Sequence, residues 1–152
     1  MDQKKKSERY QRIFNQLEEL IKKTKDPIAR MSTIAAILHH KFKHFFWTGF
    51  YLLQEGNLIV GPYQGPVACL LLEKNKGVCW SAINHNRIEL VPDVTKFTGH
   101  ISCDSRSRSE IVIPIYDQKG RIWSVLDIDS KEISAFDEVD AKNLLKITDL
   151  IS

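Results

Sequence analysis

Apolar residues recur at helical spacing near the start of the chain. Tyr10, Ile13, Phe14, Leu17, Leu20 and Ile21 share one stripe with charged residues between them. That pattern predicts an amphipathic helix from about Lys6 to Lys23. A second helix is expected in KDPIARMSTIAAILHH, where Asp26 suits the N-cap, Pro27 suits the first helical position, and Ile28, Met31, Ile34, Ala35 and Leu38 form one apolar face. The pattern then changes. HFFWTGFYLL, residues 44–53, is dense in aromatics and has no polar face at helical spacing, so it reads as a strand. Glu55-Gly56-Asn57 is a turn, and NLIVGPY returns as a partner strand. Residues 62–75 form a Gly- and Pro-containing connection, 77–86 a short helix, 87–93 a short strand and 96–109 a polar loop. EIVIPIYD and RIWSVLDID are two apolar strands, and Gln118–Gly120 joins them as a hairpin. A last helix is expected to open near Ser134 or Asp137 and run to the end, with Leu144, Ile147, Leu150 and Ile151 as its core stripe.

Two helices, several antiparallel strands with one long irregular insert, and a closing helix make an α+β sheet with helices packed on it. The 152 residues suit one domain, 1–152, with a real core. No repeat, low-complexity stretch or linker interrupts them. Net charge is +3, too mild to imply nucleic-acid binding. The basic clusters at Lys4–Lys6 and Lys22–Lys25 read as solvated helix surface. No apolar run approaches the roughly 20 residues of a membrane span, and the N-terminus lacks the apolar region of a signal peptide. A cytoplasmic protein is therefore expected, with no membrane partner. In a reducing compartment a disulfide is more often transient than structural.

Three cysteines, Cys69, Cys79 and Cys103, lie ten and then twenty-four residues apart. No C-x-x-C occurs, and none of the five histidines has paired-ligand spacing with the cysteines, so no metal site is expected. Cys103 stands in HISCDSRSRSE, a polar setting unlike that of a structural cysteine. His100, Arg106 and Arg108 are nearby cations that lower a thiol pKa, and Asp104 acts against them. Cys103 is thus a candidate nucleophile, or else an idle loop thiol. Cys69 and Cys79 have more apolar neighbours and read by themselves as packing. Asp127 and Asp129 are two apart on a strand, so both carboxylates share one face. Either that face meets solvent, or it holds an ammonium group or a proton donor. Glu110 opens the other strand of the hairpin and could join them. Trp47 and Tyr51 are four apart on one strand face, as core or as the wall of a box for a cationic or thioether-like group.

WTGFYLL, GPYQGPVACLLL, KGVCWSA, GHISCDS, SEIVIPI and VLDIDS, in that order, closely resemble the free methionine-(R)-sulfoxide reductases, a family of single GAF domains. The resemblance runs from about residue 26 to the end, and the three cysteines at their spacing are specific to that family. It implies a GAF-like fold with an antiparallel sheet of about six strands between helical layers. It implies thiol-dependent reduction of free L-methionine (R)-sulfoxide, with no cofactor and with a thioredoxin-type reductant as partner. By resemblance Cys103 is the catalytic cysteine, Cys69 the resolving cysteine and Cys79 the third family cysteine. Glu110, Asp127 and Asp129 match the carboxylates of the substrate pocket, and Trp47 and Tyr51 its aromatic wall. A homodimer is compatible with this reading. Arg106, Arg108, Trp80 and the stretch LEKNK depart from the family pattern without removing a matched residue. The alternatives are a GAF module that binds a small ligand, and a redox sensor that uses the same thiols without turnover.

Overall fold

A computed structural model describes residues 1–100 and 103–152; Ile101 and Ser102 of the motif around Cys103 lie outside the described residues. Helix α1 spans Gln3–Leu20, α2 Pro27–Lys41, α3 Gly77–His85 and α4 Glu138–Thr148. Strands β1 (Trp47–Gln54), β2 (Asn57–Gln64), β3 (Leu71–Leu72), β4 (Glu89–Val91), β5 (Ser109–Tyr116) and β6 (Ile122–Ser130) form one six-stranded sheet. Its order is β3-β2-β1-β6-β5-β4, with every neighbouring pair antiparallel. The α+β class and the sheet of six strands agree with the sequence expectation.

Strand alternation divides the interior in two. Phe50, Ile111, Ile113, Leu126 and Ile128 point to one face, where the apolar stripes of α1, α2 and α4 cover them. Trp47, Tyr51, Val112 and Val125 point to the other, under α3. Both faces of the central strands are therefore buried, which is why their sequences read as continuous apolar runs rather than as a polar–apolar alternation. Asp127 and Asp129 lie on the α3 side of β6, as period two requires.

Several expected boundaries shift for physical reasons. Helix α1 begins earlier than Lys6 because the Asp2 carboxylate caps it by accepting from the Lys5 N–H. Its last turn, Ile21–Lys23, tightens into 3₁₀ geometry. Strand β1 starts at Trp47; Phe42 and Phe45 precede it and stack in the first core, 4.5 Å between ring centroids. Strand β3 was hidden in the 62–75 connection, since two residues are too few to show alternation. Of the two proposed starts for the last helix, Asp137 is the cap: it accepts from Val139 and Asp140, and the Asp140 carboxylate accepts from the Asp137 N–H.

The reading of Lys4–Lys6 as solvated surface fails at Lys6, which is only 6% exposed. Its ammonium lies 2.8 Å from Asp140 and 3.1 Å from Asp137, and the Tyr10 hydroxyl donates to Asp140 at 2.5 Å. Asp140 is fully buried, so this cluster pins α1 to the start of α4. The partners are more than a hundred residues apart in sequence, a separation at which local charge patterning carries no information. No described helix is long and apolar enough to cross a membrane.

Candidate active site

Two adjacent strands place the acids, and a third sets Trp47 beside them. In the sheet register Trp47 of β1, Asp129 of β6 and Glu110 of β5 form one cross-strand row. The next row on that face holds Gly49, Asp127 and Val112. Glu110 and Asp127 are each 6% exposed, and Asp129 is half-buried. The two aspartates thus face a pocket rather than open solvent. Helix α3 closes one side and brings Cys79 against them: Cys79 Sγ and one carboxylate oxygen each of Glu110 and Asp127 all lie within 4.8 Å of one another.

The aromatic wall is ordered by packing. Trp47 stacks against Tyr51 at 5.7 Å and against Tyr63 at 5.3 Å between centroids. Gly49 makes that possible: a β-carbon there would meet the Trp47 ring at 2.6 Å and overlap Tyr63. Tyr51 also donates its hydroxyl to the Cys69 carbonyl at 3.3 Å. Burial, reinforced by the charge of Asp127, pushes the Tyr51 phenol far above its ordinary pKa, so it remains a donor.

Two loops close the pocket mouth and meet in a disulfide. Residues after β2 carry Cys69, the loop before β5 carries Cys103, and the two are bonded with 5.6 Å between their α-carbons. Gly65, at φ +118°, allows the first loop to pass the Phe46 carbonyl, which a β-carbon would approach to 2.7 Å. Cys103 is exposed and Cys69 half-buried. Both thiol loops border the cavity that the acids floor, since Cys103, Ala68, Val67, Cys79, Glu110, Asp127 and Asp129 all line it.

The electrostatics favour protons at the floor. Burial first, then the charges of Asp127 and Asp129, raises Glu110 well above the carboxylate range. Burial, then the Asp127 charge, does the same for Asp129. Asp127 is raised by burial and partly restored by hydrogen bonds from Glu110 and the Cys79 thiol. Three close carboxyls without a cation cannot all ionise, so they share protons among them. Cys79, fully enclosed beside them, is pushed far above the ordinary thiol range, by burial first and then by the Asp127 and Glu110 charges. It is therefore a neutral thiol and no nucleophile in this setting.

The cations expected to activate Cys103 are engaged elsewhere. Arg106 forms a two-pronged pair with Asp104, at 2.9 and 2.7 Å, and lies 4.8 Å above the Phe46 ring. Arg108 donates to the carbonyls of Ser105 and Ser107. His100 is held neutral by burial. It does line the pocket, and neither of its ring nitrogens has a partner. Trp47 Nε1 and Asp127 Oδ1 are likewise buried without partners. These unpaired groups mark where a polar ligand belongs. Sequence reasoning named His100 only as a cation near Cys103, not as part of the pocket wall, and left out Phe46 and Lys76 at the rim. Trp80 packs in the second core and does not line the pocket. The cluster of Cys79, Glu110 and Asp127 also escapes metal-ligand spacing rules, because its members come from three different elements.

No family model matches the chain. Named proteins do. A Dictyostelium discoideum protein called GAF domain-containing protein A is 44% identical over 147 residues, covering 96% of this chain and 92% of that one. The free methionine-R-sulfoxide reductase of Saccharomyces cerevisiae is 39% identical over 132 residues, 82% of this chain and 73% of that one. Among solved structures, the Neisseria meningitidis free methionine-R-sulfoxide reductase in complex with its substrate superposes with a TM-score of 0.89 at 37% identity, covering 93% of this chain and 85% of that one. The sheet order, the paired thiols over an acid-floored pocket and these similarities lead to one conclusion: the chain has the GAF fold and belongs to the free methionine-R-sulfoxide reductase family of oxidoreductases.

Proposed function

We propose that residues 1–152 act as one GAF-domain enzyme that reduces free L-methionine (R)-sulfoxide to L-methionine. The observation that carries this reading is the Cys69–Cys103 bond across the mouth of a pocket whose floor is Glu110, Asp127 and Asp129. A thiol pair that closes over an acid cluster suits a substrate with an ammonium at one end and a reducible sulfur at the other.

The chemistry follows from those positions. With both thiols reduced, the Cys103 thiolate attacks the sulfoxide sulfur. One of the proton-sharing acids, Glu110, Asp127 or Asp129, donates to the oxygen as it gains charge. The hydroxyl then passes from the substrate sulfur to Cys103 as the bond between the two sulfurs breaks, so the electron pair stays with methionine, which leaves as the thioether, and Cys103 becomes a sulfenic acid. The Cys69 thiol attacks that sulfur, water departs and the disulfide forms. A thioredoxin-type dithiol then exchanges with the disulfide, restoring both thiols at the cost of its own oxidation. The substrate ammonium faces the unpaired Asp127 oxygen, and Trp47 and Tyr51 wall the thioether chain. Neither a metal nor an organic cofactor takes part in these steps. A reducing compartment such as the cytoplasm supplies the dithiol.

The test is direct. The reduced protein is incubated with racemic free methionine sulfoxide and a dithiol, and methionine is quantified. Methionine forming in many equivalents per chain supports the reading. A stoichiometric thiol oxidation without methionine identifies a redox sensor instead, and a ligand module gives neither.

A further inference from the structure

The reductase chemistry uses Cys69 and Cys103 and leaves Cys79 without a step. Its surroundings are unusual for a packing cysteine. Sγ of Cys79 and carboxylate oxygens of Glu110 and Asp127 lie within 4.8 Å of one another, all three residues are buried, and all three line the pocket. Asp127 Oδ1, on a residue more than nine-tenths buried, has no hydrogen-bond partner. One sulfur and two oxygens converge from three rigid elements, α3, β5 and β6, rather than from a loop.

We propose that Cys79, Glu110 and Asp127 form a binding site for a borderline-soft divalent cation, Zn²⁺ or Cd²⁺, which occupies the place of the substrate ammonium. The donor set selects the ion. A thiolate with two carboxylates suits Zn²⁺ or Cd²⁺, whereas Mg²⁺ and Ca²⁺ take oxygen ligands alone. Three protein ligands leave a fourth tetrahedral position open to the pocket. Asp129 is the cross-strand neighbour of Glu110 and would orient it as a ligand, the outer-shell role that commonly accompanies such sites. Binding forms one metal–sulfur and two metal–oxygen bonds and releases to solvent the thiol proton and the proton the acids share; no electron moves. The bound ion excludes the ammonium, so it competes with substrate without touching Cys69 or Cys103. This goes beyond the reductase reading, and it rests on that reading only for the competition.

The oxidised protein isolates the site. Of the chain's three cysteines two are then in the disulfide, so Cys79 is the one free thiol among the described residues. Cadmium is titrated into the oxidised chain while the ultraviolet thiolate-to-metal charge-transfer band is followed, and zinc binding is measured by equilibrium dialysis. One saturable ion per chain is expected, with a band that Cys79→Ser abolishes. Glu110→Gln and Asp127→Asn should each weaken zinc at least about tenfold, since even outer-shell changes cost that much. Free methionine sulfoxide should raise the apparent dissociation constant in proportion to its concentration. Absence of the band in the folded wild type overturns the proposal, as does zinc affinity unchanged in both Cys79→Ser and Asp127→Asn. Metal binding that substrate does not displace overturns the competition alone. Failure of the reductase assay with this band intact would overturn the substrate reading and leave the metal site standing.

Discussion

Two sulfurs at the pocket have different surroundings. Cys103 is exposed at the pocket mouth and Cys79 is sealed beneath it. Cys103→Ser should therefore abolish methionine formation with any reductant, and substantial remaining activity would remove the assignment. Cys69→Ser should still release about one methionine per chain in a single turnover, because attack on the sulfoxide precedes disulfide formation. It should then stall with thioredoxin, a difference that quenched-flow and steady-state assays resolve. If Cys69→Ser turned over normally, the resolving thiol would have to lie elsewhere. Gly49 tests the aromatic wall at the same scale. Its β-carbon position is taken up by Trp47 and Tyr63. Gly49→Ala should cost about 1–3 kcal/mol of stability by overpacking. It should also raise KM by displacing the Trp47 ring, so denaturant melts and kinetics should move together.

The helical layer is fastened by charge as well as by apolar stripes. Lys6 of α1 reaches Asp140 of α4, and Asp140 has no exposed surface. Lys6→Met removes the compensating charge while Tyr10 and the Asp137 N–H still donate to Asp140. The expected loss is about 3 kcal/mol, read as a lower urea midpoint. Asp137 supplies a pH signature. Burial works against its ionisation, but the Gln3 amide and the Lys6 ammonium outweigh it and hold its pKa at about 2. A carboxylate depressed in the folded state stabilises above its unfolded pKa and loses that stabilisation as pH falls through the folded value. Unfolding midpoints should thus decline between about pH 4 and pH 2. In Lys6→Met that decline should be shallower, and an identical profile would show that the lysine does not hold the carboxylate.

For the whole molecule, the disulfide and the pocket set two further expectations. The bond joins residues 34 apart in sequence. Chain entropy assigns such a closure about 4 kcal/mol as an upper figure, so the oxidised chain should unfold at higher denaturant than the reduced one. Equal midpoints would mean that the reduced state keeps the two loops together by other contacts. Selectivity follows from the enclosed acids. N-acetyl methionine sulfoxide lacks the ammonium and would leave buried carboxyls without their partner, at a cost of several kcal/mol. It should react at least about a hundred-fold more slowly than the free amino acid. The sulfoxide sulfur is a stereocentre, and one epimer alone can give its oxygen to the acids while offering sulfur to Cys103. Chromatography of a racemic mixture should leave about half, all of one epimer. Comparable rates on the N-acetyl compound would show that Glu110, Asp127 and Asp129 do not read the amine.

What the sequence determined by itself was much of what depends on near neighbours. Helical stripes announced α1, α2 and α4, Asp26 announced the cap of α2, Asp137 was one of two starts read for α4, and period two placed Asp127 and Asp129 on one face. The resemblance in GPVACLLL and GHISCDS singled out the two cysteines that the fold joins. Contacts between distant segments were decided by tertiary structure alone. Nothing in VLDIDS says whether its acids meet water or α3, because alternation fixes a face and not what covers it. The burial that makes Glu110 and Asp127 share protons and keeps Cys79 a neutral thiol exists only once β5, β6 and α3 are packed. The same holds for Lys6, which reads as one surface lysine of three until Asp140 arrives from the other end of the chain. Electrostatic character depends on local dielectric and on partners, and both are properties of the packed molecule.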